Sequence, residues 1–234
     1  MMKTSRHYLS LLAAFFMAAL TLSSCLNNDD DNSANVIDKE TQHACQVMMS
    51  GSHGSMLRMY YPKAAVDGTA TAEKFDSLEH QTWTVKSDST VTLGSFPINK
   101  LDSAIYVSDA DKSTNATLMR AVQKAISEIN TPVTLKSYYF IPYNNSQYVT
   151  GDGYNFLVYP SLIKQEVTYN NEKHTLYFVF YGGTLGSWTR LKMDFEYNML
   201  LGGIAVDQYS ELTGQGNFIS NQYFREVLLE CKNK

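Results

Sequence analysis

The sequence predicts an α+β chain that is mainly β: an antiparallel sheet, barrel-like or a sandwich, with one or two helices inserted mid-chain at about 98–107 and 115–129. Three observations predict it. First, sixteen tyrosines and eleven phenylalanines in 234 residues are residues that suit a pleated, half-buried surface. Second, Leu191, Met193, Phe195 and Tyr197 alternate with Lys192, Asp194 and Glu196, which buries one face and wets the other. Third, short apolar runs are separated by turn residues, and a single stretch breaks that pattern with helical spacing.

The chain opens with Lys3 and Arg6, followed by an apolar run from Tyr8 to Leu22 that is short for a membrane span. Leu22-Ser23-Ser24-Cys25 closes it. These four residues resemble the processing site of a bacterial lipoprotein (aliphatic, small, small, Cys). The resemblance implies a signal peptide over 1–24, a lipidated Cys25 at the start of the mature chain, and acyl chains as the membrane anchor. Residues 25–40 then read as an acidic tether. Asp29-Asp30-Asp31 is similar to the acidic export signal of Bacteroidetes surface lipoproteins, which places the protein at the outer membrane, on the surface ahead of the periplasmic face. Residues 41–234 form one β-rich domain, long enough to bury a full core.

Removing 1–24 takes away Lys3 and Arg6 and no acidic residue, so the formal net charge of −4 falls by a further two. An acidic chain lacks the basic face that phosphate binding needs, which argues against nucleic acid as a partner. With Cys25 lipidated, Cys45 and Cys231 are left. In an oxidising compartment they are candidates for a disulfide between the first and last strands, constraining the unfolded chain by roughly 4–5 kcal/mol. Two separate thiols are the equal alternative. Neither has a CxxC neighbour, so no cysteine metal site or redox centre is predicted.

Along the domain, Gln42 to Met49 reads as a strand with Cys45, Val47 and Met49 on one face. Gly51 to Gly54 reads as a turn, and Met56 to Tyr61 as the second strand. Residues 64–79 read as a loop with a short helical piece. Trp83–Val85 and Val91–Leu93 flank a hairpin. Pro97 suits a helix start ahead of Ile98, Leu101 and Ile105. Leu118, Val122, Ala125, Ile126 and Ile129 form one apolar stripe, capped by Thr114 or Asn115 and stopped before Thr131-Pro132. Strands follow over 133–141, 154–159, 163–169 and 175–181, with Asn170-Asn171-Glu172 as a hairpin turn. Gly182 to Gly186 reads as a further turn, Gly202-Gly203 as a bend or bulge in the long strand after it, and 218–231 as a last strand.

The start pattern, Gly51 to Gly54 and then Tyr60-Tyr61-Pro62, together with Phe96-Pro97-Ile98, resembles a family of Bacteroidetes outer-membrane lipoproteins of uncharacterised function, sometimes compared with calycin-like barrels. The resemblance implies a barrel over most of 42–231. It carries no functional residue with it, and His53 stands where an aromatic is expected.

No motif supports a specific reaction, cofactor or metal. His43 and His53 would face each other across a first hairpin, but without metal-ligand spacing around them. Asp152, Asp194, Glu196 and Asp207 are the carboxylates available for acid–base work. Asp76-Ser77, Asp88-Ser89 and Asp102-Ser103 resemble O-glycan acceptors of exported Bacteroidetes proteins, which makes Ser77, Ser89 and Ser103 candidate modification sites. The functional expectation is a ligand-binding or accessory lipoprotein that takes a small apolar or glycan ligand. A subunit of an outer-membrane assembly is the alternative, with a hydrolase third.

Overall fold

The computed structural model describes residues 39–61, 74–142, 149–150, 153–189 and 194–233. The residues expected to form a signal segment and most of those expected in a tether, Cys25 included, lie outside the described residues, as do Asp152 and the Leu191–Met193 start of the alternating run. Lys39 and Glu40, expected in the tether, already belong to helix α1 (Lys39–Met49).

Among the described residues twelve strands follow: β1 (Gly51–Tyr61), β2 (Lys74–Lys86), β3 (Thr90–Phe96), β4 (Val133–Phe140), β5 (Val149–Thr150), β6 (Gly153–Pro160), β7 (Ile163–Tyr169), β8 (Glu172–Tyr181), β9 (Thr184–Thr189), β10 (Asp194–Tyr209), β11 (Gly216–Phe218) and β12 (Val227–Asn233). A 3₁₀ helix (Ile98–Ala104) and helix α2 (Thr114–Ser127) lie between β3 and β4. Eight strands close an antiparallel ring in the order β12-β1-β2-β3-β4-β6-β9-β10, with β10 returning to β12. The barrel is thus the form taken, not the sandwich. Closure leaves no free edge within the ring.

β10 is long enough to do two jobs. Asp194–Tyr197 pair with β9 and Tyr197–Leu201 with β12, inside the ring. Beyond that, Leu200–Val206 pair with β8, which carries β7 on its far side, and Ala205 pairs with Phe218 of β11. The register slips between Leu201 and Gly203, so the predicted Gly202-Gly203 bulge is where the strand leaves the barrel. The β7–β8 hairpin turns on Asn170 (φ 52°) and Asn171 (φ 65°), both left-handed, as a two-residue type I′ turn requires.

The barrel interior is filled by its own side chains. Trp83, Tyr139, Phe156, Phe195, Met59 and Met199 are each at most 2% exposed. His53, Phe195, Phe156 and Tyr139 form a run of rings with successive centroids 4.9, 5.0 and 5.7 Å apart. Each such buried aromatic contributes about 1.5–3 kcal/mol of transfer free energy.

Both ends are covered. α1 lies over one, with Cys45 and Met49 fully buried, Gln42 Nε2 donating to the Ile141 carbonyl (2.8 Å) and His53 Nε2 donating to the Met49 carbonyl (2.9 Å). The strand expected over Gln42–Met49 is therefore a helix. Cys45 and Met49 are four residues apart and share its inward face, and the turn expected at Gly51–Gly54 is the start of β1. The 3₁₀ helix covers the other end, burying Ile98, Leu101 and Ala104. Lys100 there pairs with Asp76 (2.9 Å) and its carbonyl accepts from the Tyr61 hydroxyl (3.2 Å). α2 packs on it through Val122, Ala125 and Ile126, while Leu118 of the predicted stripe is exposed. Its cap is Ser113, one residue earlier than expected, accepting from Ala116 N–H. The loop expected over 64–79 gives way at Lys74 to β2; residues 62–73 lie outside the described residues.

Candidate functional site

An open hollow of about 670 Å³ sits where β10 runs past the barrel, on the outer face of the β8–β10–β11 extension. Tyr177 of β8 faces it, and the rest comes from one stretch of chain: Asp207, Gln208, Tyr209, Ser210, Thr213 and Gln215–Asn217. Tyr177 projects outward because β8 alternates Leu176, Phe178 and Phe180 inward with Tyr177, Val179 and Tyr181 outward. Its ring lies 5.8 Å from that of Tyr209, tilted by 38°. Tyr209 in turn meets Phe218 edge-on at 5.8 Å.

Glycines set two of these rings down against backbone. A Cβ on Gly216 would lie 2.9 Å from the Tyr209 ring, and one on Gly203 would lie 2.8 Å from the Phe218 ring. The loop after β10 is tied to itself, with Ser210 N–H donating to Gln215 O and Gly214 N–H to Ser210 O, both at 2.8 Å. The Tyr209 and Phe218 rings and the loop backbone beside the hollow are therefore held in place before any ligand arrives.

Asp207 ends the β8–β10 ladder. It is left-handed (φ 60°), a conformation uncommon outside glycine, and its carboxylate takes over as acceptor. It accepts from His174 Nδ1 at 2.9 Å and from Thr175 N–H at 2.8 Å. These bonds, the imidazole first, hold its carboxyl below the usual range. The His174 ring stacks on Tyr169 at 3.8 Å, and burial, followed by the nearby Asp207 and Glu172 charges, pushes the Tyr169 phenol up to about 12. The site offers flat apolar ring faces beside the amides of Gln208, Gln215 and Asn217 and the hydroxyls of Ser210 and Thr213.

Few of the residues singled out from sequence gather here. Asp207 alone of the described carboxylates singled out reaches the hollow. Asp194 is half-buried in β10, and Glu196 is held on the barrel wall by Lys232 (2.9 Å) and the Ser187 hydroxyl (3.2 Å). His43 is exposed on α1 and His53 is packed on Phe195, so they do not face each other across a hairpin. Among the described residues no cluster of His, Cys, Asp and Glu could hold a metal.

Cys45 and Cys231 are separate buried free thiols in place of the disulfide that the sequence allowed. One sits on the capping helix, hydrogen-bonded to Tyr154, and the other faces the barrel interior, hydrogen-bonded to Tyr197. Ser77 is exposed on β2. Ser89 sits in the β2–β3 turn (φ 66°) and accepts from Gln46 Nε2 at 2.6 Å, and Ser103 is half-buried in the 3₁₀ helix. Sequence reasoning missed Tyr177, Tyr209 and Gln215–Asn217. The signal available was the period-two pattern of β8, which already placed Tyr177 and Tyr181 on one face.

Comparison with known proteins places the chain without assigning it an activity. The family described as "Domain of unknown function (DUF4840)" matches residues 48–206, and this stretch holds β1 to most of β10 but stops one residue short of Asp207. No curated protein and no solved structure matches. Because the match covers well over half of its residues, the chain belongs to the DUF4840 family.

Proposed function

We propose that this protein is a lipid-anchored carbohydrate-binding domain, tethered through Cys25 to a bacterial outer membrane and exposed at the cell surface. The observation that carries the binding reading is the hollow itself, in which the Tyr177 and Tyr209 rings lie 5.8 Å apart beside three side-chain amides. A pyranose presents a C–H-rich face, which packs on an aromatic ring, and a rim of hydroxyls, which need donors and acceptors when they leave water. This lining supplies both. A small apolar ligand held inside the barrel, as a calycin-like comparison implies, fits less well, because Trp83, Tyr139, Phe156 and Phe195 occupy that space. The anchor is supported by Leu22-Ser23-Ser24-Cys25 and the acidic residues after it.

The test is a printed array of neutral and acidic oligosaccharides, probed with the full chain in mild detergent. Wild type should bind a chemically related subset, and Tyr209→Ala should lose that signal. Wild type binding nothing, or Tyr209→Ala binding unchanged, refutes the reading. Incorporation of labelled fatty acid into wild type and not into Cys25→Ala tests the anchor separately.

A further inference from the structure

The hollow is not an isolated patch. Tyr177, Val179 and Tyr181 follow one another on the outward face of β8, so the face that lines the hollow continues along the strand for about 13 Å. Tyr181 is 50% exposed although its ring lies down on Gly202, where a Cβ would meet it at 2.7 Å. The next ring is Tyr159 of β6. It is 42% exposed and lies on Gly182, where a Cβ would meet it at 2.6 Å. The turn that carries Gly182 is fastened to β6 by Gly183 N–H donating to the Val158 carbonyl at 2.8 Å. Tyr159 is paired across strands with Tyr138 of β4, which is 49% exposed. A row of tyrosines therefore leaves the hollow, runs down β8 and crosses to β6 and β4.

Two features of this row point to its occupant. A large side chain lying flat over glycine shows a ring face to solvent and leaves no pocket for an inserted side chain, so the surface suits a flat, stacking partner. The charges beside it also balance. Lys164 stands over the Tyr177 ring (5.7 Å) and Lys136 over the Tyr138 ring (4.7 Å), while Glu166 shares the outward face of β7 with Lys164, and Asp207 lines the hollow. A track whose cations and anions offset one another has no net attraction for a polyanion.

We infer that the ligand is an extended, uncharged glycan chain, engaged by several successive sugar rings from Tyr209 through Tyr181 and Tyr159 to Tyr138, and not a single terminal sugar. This rests on the carbohydrate reading of the hollow.

The experiment is affinity gel electrophoresis of the full chain in gels containing dissolved starch, xylan, galactomannan or mixed-linkage β-glucan, with polygalacturonate as the charged comparison. Wild type should be retarded by at least one neutral polymer. Tyr159→Ala/Tyr181→Ala should raise the dissociation constant at least tenfold, and Tyr159→Phe/Tyr181→Phe, which keeps the ring faces, should not. Tyr138→Ala removes the far end of the row without uncovering either glycine, and should weaken binding even if the double alanine variant folds poorly. The inference is overturned if Tyr138→Ala and the alanine pair are retarded as strongly as wild type, or if only polygalacturonate retards the protein. If no polymer retards it while array binding that depends on Tyr209 persists, the track falls and the hollow stands. If both assays are blank, both fall.

Discussion

Gly186→Ala is a one-carbon perturbation whose effect follows from the packing of a single ring. Gly186 is buried on β9, directly opposite Phe156 of β6. A Cβ there would run into Cε2 and Cζ of the Phe156 ring, with Cδ2 only 2.8 Å away. The ring has nowhere to retreat. Phe156 is fully buried, stacked at 5.0 Å on Phe195 and edge-on at 5.7 Å to Tyr139, and Phe195 is itself backed by His53 at 4.9 Å. Overpacking a core that cannot relax costs about 1–3 kcal/mol. The lower backbone entropy of alanine in the unfolded chain returns roughly 0.5–1 kcal/mol. A net loss on the order of 1–2 kcal/mol is expected, read as a lower urea midpoint at unchanged slope. Phe156→Leu should remove most of the penalty, so a double-mutant cycle should give a coupling of similar size and opposite sign. If Gly186→Ala is as stable as wild type, or is equally costly in the Phe156→Leu background, then Phe156 is not what excludes the methyl group and the interior is looser than this packing implies.

Two further outcomes are expected from the titrating groups. Burial pushes the Cys231 thiol up to about 12 and raises that of Cys45, so at pH 8 neither should react with a disulfide reagent in the native protein, while both should react in urea; fast labelling of either in the folded state would contradict their burial. Asp207 has a folded pKa below its unfolded value, so its hydrogen bonds to His174 and Thr175 stabilise the fold fully above the unfolded pKa and are lost as pH falls through the lowered one. Urea midpoints of wild type and Asp207→Asn should therefore differ most near neutral pH and converge in acid; a constant difference across that range would show that the carboxylate charge is not the cause.

The sequence carried the barrel's strands and turns more clearly than its ends or its site. Asn170-Asn171 is legible as a hairpin because two consecutive left-handed residues narrow the choice of side chain at both positions. Gly202-Gly203 is legible as a bulge for a similar reason. α1 misled because Cys45, Val47 and Met49 satisfy a strand's alternation, while Cys45 and Met49 alone also satisfy a helix turn, and a helix that buries only two side chains writes a weak stripe. Gly182–Gly186 read as one turn, yet the connection between β8 and β9 is only Gly182 and Gly183 (φ 80°), and Gly186 is there to admit a phenyl ring from another strand. No local pattern announces such a need. The hollow was illegible for the same reason. Tyr177 and Tyr209 are far apart in the chain, and the two rings meet only because β10 outruns the barrel and pairs with β8.

That the ring is shut by β12, lodged between β1 and β10, has a consequence for how the molecule is made. The first ring strand to be synthesised waits for the last. Until residues 227–233 arrive, β1 and β10 each present an unpaired row of peptide groups, and the aromatic interior between them is open to solvent along a seam. Such a seam accepts any extended segment, including the same seam on a neighbouring chain. Yield in refolding should therefore fall steeply with protein concentration, and a peptide of residues 227–233 supplied in trans to a chain lacking them should compete with that self-association.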